Sequence, residues 1–157
     1  MPFASDISGR VRKATRLTLN EMGRDWVKLL RWTVNEPYPP PSEPGDHPHR
    51  RSKTLQRSFK YKVAPKATSV EDLNVFIDEA VFEKYAPNGY NYSLDLEYGR
   101  ASTNLEPRPY WRPVRKQLSP KLQTWFERLF AKHMGELTDA AGQFDSSDAA
   151  ADFPAQS

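Results

Sequence analysis

Six carboxylates stand in three close pairs and are the side chains best suited to chemistry: Glu71 and Asp72, Asp78 and Glu79, Asp95 and Glu97. Converging carboxylates can hold a divalent cation in a metal-dependent nuclease, because such cations require two or three oxygen ligands. Asp95 and Glu97, however, alternate with apolar residues and fall on the polar face of a half-buried segment, where solvated acids are common. We therefore expect no enzyme activity.

Metal and cofactor chemistry has little support elsewhere in the sequence. His47 and His49 lie in a proline-rich stretch without a third ligand nearby. His133 falls on the apolar face of a predicted helix, which favours a histidine at the edge of the core over a ligand or a base. Cysteine is absent, which excludes disulfides, thiolate catalysis and cysteine-based zinc or iron–sulfur sites. Phosphate-binding glycine loops are missing too, so we expect neither a metal nor a cofactor.

An acidic–aromatic–glycine run followed by an arginine–proline segment is the least ordinary feature of the sequence. It reads Leu96-Glu97-Tyr98-Gly99, then a gap, then Pro107-Arg108-Pro109-Tyr110-Trp111-Arg112-Pro113. Gly99 can take a positive φ at the end of a strand, and the three prolines favour an extended, rigid path. In such a path Arg108 and Arg112, four residues apart, point to one side. They can pair with Glu97 of the same chain, as an Arg108–Glu97 clamp, or with acids of a neighbouring subunit.

Among the elements that must position these residues, the clearest is a long helix from Ser8 to about Val34. Apolar residues recur there every three or four positions. Gly23 weakens its middle by about 1 kcal/mol relative to alanine. Four basic residues crowd its first turns: Arg10, Arg12, Lys13 and Arg16. They form either a solvated charged face or a surface that contacts nucleic acid or an acidic neighbour.

Prolines end this helix and begin a long exposed loop over residues 36–53. Alternation of apolar and polar residues then predicts half-buried strands over Thr54–Val63, Leu73–Ile77 and Tyr92–Tyr98. Between the last two, Val81–Tyr85 fits either a strand or a single helical turn. Three or more strands with one apolar face need a cover, which only helices of this chain can supply.

A second amphipathic helix is predicted from Ser119 to about Leu137, with Ser119 as its N-cap and Pro120 at its first position. The elements together predict one α+β domain over residues 1–137. In it, an antiparallel sheet of three to five strands packs against the N-terminal and the C-terminal helix. Residues 138–157 are acidic, small and polar, and we expect them to form a flexible tail.

Composition indicates a folded domain with unevenly distributed charge. Aromatic residues make up 12% of the 157 residues, too many for a disordered chain. Residues 1–62 contain 13 basic and 6 acidic residues, whereas residues 135–157 contain 5 acidic and no basic ones. Neither a membrane span nor a secretory signal is apparent, so we expect a soluble protein made in the cytoplasm. The basic N-terminal part and the run Phe59-Lys60-Tyr61-Lys62 keep a free nucleic-acid-binding module open as an alternative.

The order of the motifs resembles the small tail-component family of long-tailed bacteriophages, which act in tail completion at the neck. Family members typically carry a Tyr-Ala-x-x-x-Glu-Phe-Gly-Thr run followed by an Ala-Arg-Pro-Phe-Leu-Arg-Pro segment. Residues Tyr92–Arg100 and Glu106–Pro113 fit these two blocks. Ser52–Phe59 looks like the family's Pro-x-x-Thr-Gly-x-Leu-x-x-Ser-Ile segment, although its Thr-Gly step is not retained. The resemblance covers about residues 10–135.

The resemblance implies a non-enzymatic subunit of the virion, located at the head–tail junction. The resemblance implies a homo-oligomeric ring, hexameric in the family, that contacts the tail terminator, the tail tube or the head-closure ring. The tail terminator that caps the tube is a close alternative, because these small proteins share similar folds. Packaged DNA would pass through the ring, which makes non-specific phosphate contact by Arg10, Arg12, Lys13 or Arg16 plausible.

Overall fold

The computed structural model describes residues 2–36, 40–48, 50 and 52–148. Its helices and strands, in chain order, are α1 Pro2–Thr33, α2 Thr54–Ser58, β1 Phe59–Val63, β2 Leu73–Ile77, α3 Glu79–Tyr85, α4 Ser93–Tyr98, α5 Trp111–Leu118 and α6 Leu122–Asp148. Short 3₁₀ turns lie at Val70–Asp72, Pro87–Gly89, Ala101–Thr103 and Ser119–Lys121. No helix in these ranges is long and apolar enough to cross a membrane.

The long N-terminal helix is confirmed, and it packs against two separate apolar clusters. Its 32 residues extend for about 48 Å. Near its middle, Leu19 and Met22 are buried against Leu129 of α6. In its last turns, Val27 and Leu30 enter a second apolar cluster that includes Phe59 of β1 and Val114 of α5. Helix α1 therefore contributes buried side chains to both clusters of the core.

Strands β1 and β2 form an antiparallel pair in which Phe59 lies opposite Ile77 and Val63 opposite Leu73. Their apolar faces pack on α1, and Gly23 allows this packing. A Cβ atom at Gly23 would overlap the Tyr61 ring and lie 2.9 Å from Leu73 Cδ1. Glycine at this position lowers the stability of α1, but it allows β1 and β2 to pack closely against the helix.

The sheet contains two strands in the described part of the chain, so the prediction of three to five is wrong. Thr54–Ser58 is a helical turn that leads into β1, and Tyr92–Tyr98 gives α4 instead of a strand. A six-residue segment fits both periodicities: in α4, Ser93 and Glu97 are buried while Leu94 and Tyr98 are exposed, at helical spacing. Helix α3 resolves the open choice at Val81–Tyr85 in favour of a helix.

The C-terminal helix is confirmed, but it begins and ends differently from the prediction. Ser119 has helical dihedral angles (φ −48°, ψ −46°) and is not an N-cap, because α5 precedes it directly. Pro120 lies in the 3₁₀ turn that joins α5 to α6. Helix α6 continues beyond Leu137 to Asp148, so the first part of the predicted tail has a helical backbone. The rest of that tail, residues 149–157, lies outside the described residues.

Candidate functional site: a carboxylate that caps a distant helix

Glu97 connects the two sequence blocks through its carboxylate. It belongs to α4, and its side chain is almost fully buried. Oε2 accepts hydrogen bonds from the backbone N–H groups of Tyr110 and Trp111, and Oε1 accepts one from Arg112 N–H, each at 2.9 Å. Because α5 begins at Trp111, these donors lack partners within their own helix. Glu97 therefore caps α5 from another helix, and its negative charge lies at the positive end of the helix dipole.

Arg112 makes two further contacts with Glu97. Its Nε donates to Glu97 Oε1 at 2.9 Å, and its Nη2 donates to the Glu97 carbonyl at 2.8 Å. We call the set of contacts that joins Glu97 to Tyr110, Trp111 and Arg112 the Glu97 junction. The expected Arg108–Glu97 clamp is therefore wrong: Arg108 donates instead to the carbonyls of Ser42 and Glu106, both at 3.2 Å. The reason is that Pro113 lies in the first turn of α5 and not in an extended path, so helical geometry turns Arg112 towards Glu97.

Electrostatics favour an ionised Glu97. Burial is the largest single influence and raises the pKa of its carboxyl, but the three backbone N–H groups and the Arg112 guanidinium together outweigh burial and lower it below its ordinary value of 4.5. Beside it, burial and then the Glu97 charge raise the pKa of Tyr110. The Tyr110 hydroxyl donates to the Ser93 carbonyl at 3.2 Å. The junction thus holds one buried anion with all its contacts supplied by the chain.

Gly99 has the positive φ that its sequence position predicts, at the end of a helix and not of a strand. Its dihedral angles are φ 77° and ψ 172°, a region that is nearly restricted to glycine. A Cβ atom there would lie 2.7 Å from the Leu105 carbonyl and 3.0 Å from Pro107 Cδ. This fit lets the chain reverse between α4 and the arginine–proline segment, where Arg108 N–H donates to the Leu96 carbonyl at 2.6 Å.

The proline-rich loop contacts the same segment. Gly45 N–H donates to the Pro107 carbonyl at 2.9 Å, and His47 Nδ1 lies 2.7 Å from the Pro109 carbonyl. The loop therefore lies against the arginine–proline segment just before α5 begins. Beside this contact, a cleft of about 750 Å³ opens. Its mostly apolar lining includes Val34, Tyr85, Tyr90, Leu96, Leu105 and Arg108.

Three exposed tyrosines, at the end of α3, shortly before α4 and at the end of α4, each have an arginine close to the ring. We call Tyr85, Tyr90, Leu94 and Tyr98 the tyrosine surface. Leu94 is 65% exposed and Tyr98 60% exposed. The ring centroids of Tyr85, Tyr90 and Tyr98 lie 5.0, 5.5 and 4.8 Å from the guanidinium carbons of Arg57, Arg100 and Arg112, respectively.

The sequence prediction missed the tyrosine surface, because it placed the apolar residues of Tyr92–Tyr98 on one buried strand face. In the helix, Tyr92 and Leu96 pack against the core, whereas Leu94 and Tyr98 face outwards. The sequence offered no signal that separates a strand from a helix here, because residues four apart share one face in a strand as well as in a helix.

The remaining carboxylates perform separate local tasks. Asp72 accepts from the N–H groups of Thr68 and Ser69 at 2.7 and 3.0 Å, and Asp78 caps α3 by accepting from Ala80 N–H. Within the described residues, no group of three or more acids and histidines could hold a metal ion. The three acidic pairs therefore do not converge.

The histidines do not converge either. His133 is a core-edge residue, as expected, with Nε2 2.9 Å from Glu21 and Nδ1 3.1 Å from Glu136. His47 contacts the arginine–proline segment, as described above. His49 lies outside the described residues.

The four basic residues near the start of α1 do not share one face. Arg12 and Arg16 are one helical turn apart, and Arg10 and Lys13 lie on another side. Arg12 donates to the Ser8 carbonyl and hydroxyl, both at 3.3 Å. A single contact with DNA or a subunit would reach only part of this set.

Comparison of the chain with known proteins adds no relative to these observations. Family models, curated proteins and solved structures each gave no match.

Proposed function

We propose that this chain is a non-enzymatic structural subunit of the head–tail junction of a long-tailed bacteriophage. It would act as a tail-completion or neck protein in an oligomeric ring of the virion, in contact with the tail terminator, the tail tube or the head-closure ring. The motif resemblance supports this function. The Glu97 junction supports it further, because it gives a physical reason for the two motif blocks to occur together: the carboxylate of the first caps the helix of the second.

The tyrosine surface is the observation that carries the proposal. A ring subunit must present side chains that a neighbour can bury, and tyrosine and arginine are enriched at the energetic centres of protein interfaces. Leu94 and Tyr98 are largely exposed, although they belong to the helix that Glu97 anchors in the core. An interface built on such an anchored helix loses little conformational freedom when a partner binds.

A structural role also agrees with how the junction uses its polar groups. Both oxygens of Glu97 are engaged by backbone N–H donors and by Arg112. Tyr110, the buried titratable group next to Glu97, donates its hydroxyl proton to a backbone carbonyl. Groups that are occupied in this way stabilise a fold and have no free proton site to offer a substrate.

The test is loss of this chain from its parent phage, followed by electron microscopy of the lysate. We expect filled heads and separate tails of normal length, which purified chain joins into infective particles. A Leu94→Asp variant should fail to join them, whereas Leu17→Asp, which places the same charge on an exposed apolar position of α1, should succeed. Fully tailed, infective particles without the chain would overturn the proposal. Tails of uncontrolled length would identify a tail terminator instead.

A further inference from the structure

Strand β1 has a hydrogen-bonding partner on one edge only. The hydrogen bonds from Ala64 N–H to the Asp72 carbonyl (3.0 Å) and from Asp78 N–H to the Ser58 carbonyl (2.7 Å) fix the alternation of the ladder. Residues at even positions of β1 therefore direct their backbone groups to β2. By the same alternation, those of Phe59, Tyr61 and Val63 face the free edge.

A groove of about 370 Å³ lies along this edge, between β1 and α1. Its lining comprises Arg24, Val27, Lys28, Arg31, Phe59, Lys60 and Tyr61. At one end, Arg31 Nη2 donates to the Phe59 carbonyl at 3.3 Å, so this edge already accepts a donor from outside the sheet. No turn, loop or side-chain hydrogen bond of the described residues reaches the Tyr61 backbone.

The groove is basic, and its charges are not neutralised within the described chain. Arg24 and Lys28 are one turn apart on α1, and Lys60 lies on the exposed face of β1. These three cations are exposed and form no ion pair among the described residues. No acidic residue contributes to the lining. Between the cations, the side chains of Val27 and Phe59 provide an apolar floor.

We propose that this groove binds an extended acidic segment of a partner protein, which adds to the free edge of β1 as a third strand. Its backbone would pair with the N–H and C=O groups of Tyr61, and the carboxylates on its α1 side would meet Arg24 and Lys28. A second copy of β1 is a poor occupant, because it would bring its own lysines against these cations. Nucleic acid would use the cations but would leave the strand edge unpaired.

The experiment uses the full chain and a synthetic peptide of alternating glutamate and valine at 150 mM salt. Binding is followed by the amide NMR signals and by fluorescence anisotropy. We expect the Tyr61 amide to shift, and affinity to fall at least tenfold when alternate peptide nitrogens are methylated or glutamates are replaced by glutamine. The double variant Arg24→Glu/Lys28→Glu should lose binding by at least tenfold. Arg128→Glu/Lys116→Glu, an equal charge change at exposed positions of α6 and α5, should retain it.

Each other outcome overturns the proposal. Binding that ignores methylation would identify a general polyanion surface, and tighter binding of a 20-base-pair DNA duplex to the same groove would identify nucleic acid as its ligand. No binding at 1 mM peptide would indicate that the lysines only prevent the strand edge from pairing with other chains and aggregating. The result is independent of the phage experiment, because a neck subunit can exist with or without this docking site.

Discussion

The Glu97 junction and the α1–β1 groove treat charge in opposite ways. In the junction, one buried carboxylate receives donors from four groups of its own chain. In the groove, Arg24, Lys28 and Lys60 face solvent and have no ion-pair partner in the described part of the chain. Burying an unpaired charge costs several kcal/mol, whereas an exposed one costs little. The junction is therefore part of what makes the chain fold, and the groove remains available to another molecule.

The largest expected effect is removal of the junction carboxylate. Glu97→Ala leaves three backbone donors and the Arg112 guanidinium without their acceptor, so we expect the free energy of unfolding to fall by about 3–5 kcal/mol. Asp95→Ala, two residues away in the same helix, removes a partly exposed acid that contacts Tyr90 and Arg100 and should cost about 1 kcal/mol or less. Urea unfolding followed by tryptophan fluorescence measures both. Equal losses for the two variants would remove the distinction between a buried cap and a surface acid.

A methyl group at Gly99 should have the next largest effect. Gly99→Ala places a residue with a Cβ atom at φ 77° and against the Leu105 carbonyl, so we expect a loss of about 2–3 kcal/mol. Gly45→Ala is the matched control, because Gly45 also has a positive φ (89°) but open space around it. Its cost should be about 1 kcal/mol, from backbone strain alone. Thermal unfolding of both variants gives the comparison.

Acid should weaken the junction in a defined direction. The pKa of Glu97 is lowered in the folded state, so its ionised form stabilises the fold above the ordinary value of 4.5. That contribution is lost as the pH falls below 4.5 through the folded pKa. The stability of the wild-type chain should therefore fall more steeply between pH 5 and pH 3 than that of Glu97→Gln. Parallel pH profiles from urea unfolding would show that the carboxylate charge contributes nothing.

The smallest expected effect belongs to the groove. Arg24→Gln and Lys28→Gln remove two exposed charges that make no ion pair in the described structure. Each should change the free energy of unfolding by less than about 0.5 kcal/mol, in either direction. Urea unfolding of the two variants, carried out beside Glu97→Ala, completes the comparison. A loss above 1 kcal/mol would mean that the groove cations belong to the fold, as Glu97 does.

Sequence patterns predicted the elements that are long or strongly periodic. The helical periodicity of α1 and α6 extends over many turns, and Leu73–Ile77 alternates cleanly, so these elements are confirmed. The segment that forms α4 has six residues, and both periodicities fit it. Packing decided between them, because a strand would place Leu94, Leu96 and Tyr98 on one face, whereas the helix packs Leu96 against the core and exposes Leu94 and Tyr98.

Which arginine pairs with Glu97 also depends on whether a short segment is extended or helical. The sequence placed Arg108 and Arg112 on one side of an extended path, from which they could pair with Glu97, and it predicted an Arg108–Glu97 clamp within the chain. The helix that begins at Trp111 rotates Arg112 into position. Pro113 carried the missing signal, since proline is favoured in the first turn of a helix. Contacts between distant residues, such as the close approach at Gly23, leave no comparable local pattern.

The cap that Glu97 provides also determines how this part of the molecule opens. Helices α4 and α5 contain six and eight residues, too few for either to be stable alone in water. Because one carboxylate holds both, neither can fray without releasing the other. Hydrogen exchange of the Tyr110, Trp111 and Arg112 amides should therefore give one common free energy of opening, because both helices open jointly. Two marginal helices become a single cooperative unit.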